Sequence, residues 1–244
     1  MDKMEEENCF GIDQLDNITL GRMVPGSFGL FYGPTGCGKS SMLYHFLFQG
    51  ASMDNDVCLI SNEPPGRLSG HMSTFKRHQP NWLKDGYIAI LNVHDLMGLI
   101  GSDLEDSGPD DVDLFLDLLL QVVQHLDAKR LVIDPVNPIL YLLEEWNKVH
   151  FMQRLKGKLI EKGVTTLMAL DTSISLEERS MSVLEPYLFD IIVGFRKDRE
   201  TPITMNTLTV ERWKGAPHAN NTYVIDISRE GILLVPRILS MEVK

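Results

Sequence analysis

Gly33-Pro34-Thr35-Gly36-Cys37-Gly38-Lys39-Ser40 fits the pattern G-x-x-x-x-G-K-[ST], and an apolar run over residues 28–32 leads straight into it. Ser41-Met42-Leu43-Tyr44-His45-Phe46-Leu47-Phe48 follows with good helix formers, so the spacing predicts strand, loop and helix in that order. The glycines let the backbone curl with its N–H groups inward, and the helix N-terminus adds about half a positive charge at the same spot. The stretch therefore predicts a phosphate cradle built from Gly33, Pro34, Thr35, Gly36, Cys37, Gly38, Lys39, Ser40 and Ser41. Lys39 would reach the β- and γ-phosphates of ATP, and the Ser40 hydroxyl would ligate the Mg²⁺ that accompanies it. A glycine-rich strand-to-helix turn that binds nothing is the plainer alternative.

At 244 residues and 43% hydrophobic, the chain can bury a full core as one domain. No window approaches the ~20 uninterrupted apolar residues of a membrane span; the richest, residues 114–123, is broken by Asp117 and Gln121. The opening Met1-Asp2-Lys3-Met4-Glu5-Glu6-Glu7 is acidic where a secretory signal is basic and then apolar, which predicts a cytoplasmic protein. Cys9, Cys37 and Cys58 are too widely spaced for a zinc site and suggest no disulfide framework. Cys37 reads as a small loop filler, although a helix N-terminus could lower its thiol pKa. A net charge of −11 opposes indiscriminate binding to nucleic acid or anionic membrane, which depends on clustered cations.

Further strands are expected at residues 57–61, 87–91, 131–134, 165–170 and 191–195, separated by helical stretches. That alternation predicts an α/β fold with a mostly parallel sheet flanked by helices. Residues 112–126 keep Asp113, Asp117, Gln121, Gln124 and His125 on one stripe, so a surface-packed helix is expected and His125 reads as a surface residue. Residues 102–113 read as a solvated acidic loop, residues 20–27 as a loop before the first core strand, and residues 140–162 as helix interrupted near Gly157. From Pro202 onward, alternating runs at 204–213, 222–227 and 232–235 predict C-terminal antiparallel strands at the sheet edge.

Two carboxylates stand out beyond the loop. Asp134 ends the apolar run Arg130-Leu131-Val132-Ile133, an arrangement that places an acid beside Mg²⁺. Glu63, in Leu59-Ile60-Ser61-Asn62-Glu63-Pro64-Pro65, ends the second strand where a general base for water would stand; a surface Glu before a Pro-Pro turn is an equal reading.

These pieces, together with Gly11-Ile12-Asp13-Gln14-Leu15-Asp16, the Pro25-Gly26-Ser27 lead-in and Arg212-Trp213-Lys214-Gly215-Ala216-Pro217-His218, resemble the KaiC-like branch of the RecA superfamily. The likeness implies one RecA-type ATPase domain over residues 11–238, between an acidic N-terminal tail at residues 1–10 and a C-terminal tail at 239–244. It implies that Lys39, Ser40 and Asp134 hold Mg-ATP, and that Arg212, Lys214 and His218 contact ATP on a neighbouring subunit of a homo-oligomeric ring, a hexamer being usual. It also suggests Thr172 or Ser173 as a polar γ-phosphate sensor, with a helix cap or turn equally open. Two departures stand out. Asn62 occupies the first of two positions that the hydrolysing members fill with glutamates, and the two basic residues around Trp213 are exchanged.

Three functions follow: a slow ATPase relaying its nucleotide state to an unidentified protein partner, a scaffold that binds ATP without turnover, and a DNA recombination accessory. The acidity of residues 173–187, with Glu177, Glu178 and Glu185 against Arg179, disfavours the last.

Overall fold

The computed structural model describes residues 9–20, 23–99, 109–141, 143, 145–172, 186–198, 204–218 and 221–237. Its strands are β1 (Phe28–Gly33), β2 (Val57–Ser61), β3 (Ile88–Asn92), β4 (Arg130–Ile133), β5 (Thr165–Asp171), β6 (Ile191–Asp198), β7 (Met205–Trp213), β8 (Thr222–Ser228) and β9 (Gly231–Pro236). They form one sheet in the order β3-β2-β4-β5-β1-β6-β7-β8-β9. The first six are parallel, and β7, β8 and β9 continue antiparallel to the edge. This is the expected α/β architecture.

The helices are α1 (Asp13–Ile18), α2 (Lys39–Ser52), α3 (Pro65–Met72), α4 (Asn81–Lys84), α5 (Val93–Leu99), α6 (Pro109–His125), α7 (Asn137–Tyr141) and α8 (Glu145–Glu161). Alternation along the parallel strands divides the core in two. Leu59, Val132, Leu167 and Val193 join the α2 side, whereas Cys58, Ile60, Leu131, Ile133 and Met168 join the side covered by α6 and α8. A sheet buried on both faces explains why these strands read as continuous apolar runs.

Several expectations change in detail. The helix at 140–162 is not broken at Gly157: α8 runs through it, because a single helical Gly costs only about 1 kcal/mol and Met152, Leu155 and Leu159 are fully buried. The acidic loop ends sooner than residue 113, since Pro109 opens α6 with its φ already helical, while 101–108 lie outside the described residues. His125 is exposed, as expected. Before β1, α1 is a short helix that the motif reading passed over. The Asp16 carboxylate accepts from the Phe10 and Gly11 amides at 2.6 and 2.9 Å, and buried Arg130 donates to the Cys9 carbonyl at 2.9 Å, tying this opening segment to the core.

Candidate functional site

The loop leaves the C-terminal end of β1, where open α/β sheets bind ligands. Gly33, Gly36 and Gly38 take φ of +148°, +76° and +102°. A Cβ at Gly33 would stand 2.4 Å from the Phe195 carbonyl oxygen, so both space and dihedral exclude other residues there, whereas at Gly38 the dihedral decides, because the close atom, Ile227 Cδ1 at 2.7 Å, is the movable end of a side chain. Lys39 opens α2, whose N-terminus therefore points into the cradle.

Lys39 is 4% exposed. Its ammonium donates to the Gly33 and Pro34 carbonyls at 2.8 and 2.9 Å and pairs with Asp171 Oδ1 at 2.7 Å. The register of β1 on β5 makes Gly33 and Asp171 direct neighbours, and Asn137 clamps the Asp171 backbone from both sides, at 2.8 and 2.9 Å. Asp171 escaped the sequence reading, which looked one residue further on; an acid closing the strand beside the loop strand was the available signal. Thr172 is buried, donates its amide to the Gly33 carbonyl and finds no hydroxyl partner among the described residues; Ser173 lies outside them.

The Ser40 hydroxyl donates to Asp134, which is buried at the end of β4. Two hard oxygen donors already in contact suit Mg²⁺, which takes few protein oxygens and keeps several waters. Burial pushes the Asp134 carboxyl up to about 6; Asp171 and Glu63 add to the rise, while the Ser40 hydrogen bond and Lys39 oppose it. A carboxyl whose folded pKa exceeds its unfolded value destabilises the fold as pH rises through the interval between them, here from 3.8 to about 6. That shift corresponds to about 3 kcal/mol at neutral pH. Asp134→Asn is therefore expected to raise the melting temperature of the nucleotide-free protein at pH 7.5 by several degrees, an advantage that shrinks toward pH 4. Thermal melts at both pH values check it, and a variant no more stable than wild type at pH 7.5 overturns it.

Glu63 faces a cleft of about 840 Å³ that opens beside the loop and is also lined by Ser40, Ser41, Tyr44, Phe75, Ile227 and Arg229. Asn62 is exposed. The Glu63 carboxylate pairs with exposed Arg67 at 3.2 Å, one helical turn on, and the Asn92 side chain donates to the Glu63 carbonyl at 3.1 Å. Burial, reinforced by Asp134 and Glu63, holds the Tyr44 hydroxyl protonated far above its ordinary range. Cys37 departs from the suggestion of a lowered thiol pKa. The residue is fully buried and burial pushes it up, outweighing Lys39.

Arg212, Lys214 and His218 are not brought to this loop. Arg212 donates to the Pro186 and Phe189 carbonyls at 2.9 and 3.3 Å, Lys214 pairs with Asp190 at 2.6 Å, and the His218 ring meets the Ala216 carbonyl at 3.4 Å. Asp190 accepts from the Phe28 amide at the start of β1. The cluster thus lies at the opposite end of the strand from Gly33, about 17 Å away at ~3.3 Å per residue.

The KaiC ATPase family matches residues 9–238. Circadian clock protein KaiC2 of Synechocystis sp. is 25% identical over 237 residues, covering 93% of this chain and 39% of that protein. A UPF0273 protein of Aeropyrum pernix is 23% identical over 232 residues, covering 93% and 92%. The chain thus spans well under half of KaiC2 and nearly all of the UPF0273 protein. Among solved structures, the KaiC-like protein PH0186 of Pyrococcus horikoshii superimposes with a TM-score of 0.72 at 24% identity, over 93% of this chain and 98% of that one. No described helix is long and apolar enough to cross a membrane. A family match over nearly the whole chain, a shared sheet and a formed phosphate loop lead to one conclusion: this chain belongs to the KaiC family of RecA-type P-loop ATPases.

Proposed function

We propose that the protein binds Mg-ATP in the cleft beside the phosphate loop, hydrolyses it slowly, and assembles with nucleotide between subunits so that a partner protein reads its state. The observation that carries this reading is a cleft of about 840 Å³ lined by Ser40 and Glu63, with buried Lys39 next to Ser40 in the loop and Asp134 hydrogen-bonded to the Ser40 hydroxyl. Lys39 supplies the fixed charge for the phosphates. Ser40 and Asp134 hold the metal, which when bound neutralises phosphate charge. Phe75 and Ile227 provide apolar wall for the base, and the protonated Tyr44 hydroxyl keeps a proton to donate. Glu63 orients and deprotonates water once it leaves Arg67, an exposed pair of the kind that contributes about 0–1 kcal/mol.

Lys39→Ala is expected to lower ATP affinity by at least about a hundredfold with the fold intact, since a buried charge-assisted contact to phosphate is lost. Calorimetry with Mg-ATP checks it, and unchanged affinity in a folded variant sinks the reading. A scaffold without turnover is favoured by one feature, Asn62 in place of an acid. The argument against the DNA reading rested on the acidity of residues 173–187, of which 173–185 lie outside the described residues.

A further inference from the structure

We propose that Asp171 is a specificity-determining residue that sets this site's preference between nucleoside triphosphate and diphosphate, by competing with the terminal phosphate for Lys39. The inference rests on the nucleotide-binding reading and refines it. The Lys39 ammonium is directed at the Gly33 carbonyl, the Pro34 carbonyl and Asp171 Oδ1, with the Cys37 sulfur further off at 3.6 Å. The two carbonyls belong to the loop and neutralise nothing. Asp171 is the charged partner, at 2.7 Å.

The backbone that carries this carboxylate is held in place. The Asn137 amide holds the Asp171 backbone through both its carbonyl and its N–H, and β5 pairs in register with the loop strand so that Asp171 lies opposite Gly33. Asp171 also acts on the charge of Asp134, as Glu63 does, so the three carboxylates share the space where the metal and the terminal phosphate belong. A γ-phosphate docking on Lys39 must either displace Asp171 or lie against its negative charge. A diphosphate meets Lys39 through its β-phosphate alone and lacks the γ-phosphate that would lie against Asp171, so it disturbs the Lys39–Asp171 pair less. The carboxylate therefore weakens triphosphate binding selectively.

The test is the ratio of ATP to ADP affinity, each measured by calorimetry with Mg²⁺ on the full chain. Asp171→Asn is isosteric and its side-chain oxygen still accepts from Lys39, so the loop keeps its shape while the charge is gone. It is expected to tighten ATP by about tenfold or more, the size of one charge-assisted hydrogen bond, with ADP much less affected. Asp171→Ala should move the ratio the same way, and Asp171→Glu, which keeps the charge, should hold it near wild type. A ratio unchanged in Asp171→Asn, or an equal rise for both nucleotides, overturns the proposal. Weaker ATP binding in that variant overturns it as well. Wild-type protein that binds neither nucleotide would instead refute the function on which the inference rests.

Discussion

Arg212→Ala and Lys214→Ala are expected to lower ATP turnover by about 10³–10⁵-fold, the contribution of a well-placed cation acting across an interface, and to weaken ATP-dependent assembly with it. Neither residue serves its own phosphate loop, because both stand at the far end of β1 and β6 from Gly33. Among the described residues, β8 pairs with β7 at Thr207 to Thr209 and with no residue nearer Arg212. A head-to-tail contact repeated around an axis would bring this end of one subunit to the loop end of the next, and such contacts close into rings when the rotation permits. The variants are expected to fold. Asp190 keeps Lys156 and the Phe28 amide when Lys214 is removed, and loss of Arg212 leaves two carbonyls to other partners at about 1 kcal/mol each. Phosphate release, together with mass in solution with and without Mg-ATP, decides the matter. Variants that assemble and hydrolyse like wild type would return both residues to the role of solubilising an exposed edge, and wild-type protein that stays monomeric at saturating nucleotide would remove the trans role altogether.

Glu63→Gln is expected to reduce hydrolysis by about 10²–10⁴-fold while nucleotide affinity stays close to wild type. The amide keeps the size and hydrogen-bonding reach of the carboxylate but cannot take a proton from water. The polar partners of Glu63 are Ser61, Asn92 and Arg67 rather than Lys39, so binding is not expected to follow rate. Steady-state phosphate release beside calorimetric affinity separates the two quantities. A glutamine variant as fast as wild type would take Glu63 out of the chemistry. Absence of turnover in both proteins would favour the scaffold, consistent with Asn62 standing where a second acid is expected.

What was legible in the residues alone was whatever depends on local spacing. Gly33 to Ser40 specifies its own backbone, because glycine best tolerates the dihedrals at Gly33 and Gly38 and the close approach at Gly33, and the apolar run before it specifies a buried strand. The strand ends at Glu63 and Asp134 were readable for the same reason: a short apolar run must stop, and the acid at its end is adjacent in the chain. The antiparallel C-terminal strands declared themselves by alternation.

Relations between distant segments were decided only in three dimensions. Asp171 reaches Lys39 because β5 pairs with β1 in a particular register, and a shift of one residue would turn its side chain to the other face of the sheet. The same packing drove the Cys37 thiol up rather than down, since burial there outweighs the neighbouring cation and the helix end. It also carried Arg212 and Lys214 away from their own phosphate loop, onto the Pro186 and Phe189 carbonyls and Asp190. Sequence sets which chemical groups the chain owns and which backbone shapes it can adopt locally. Strand register and burial, which sum over contacts far apart in the chain, set which of those groups meet and what charge each carries.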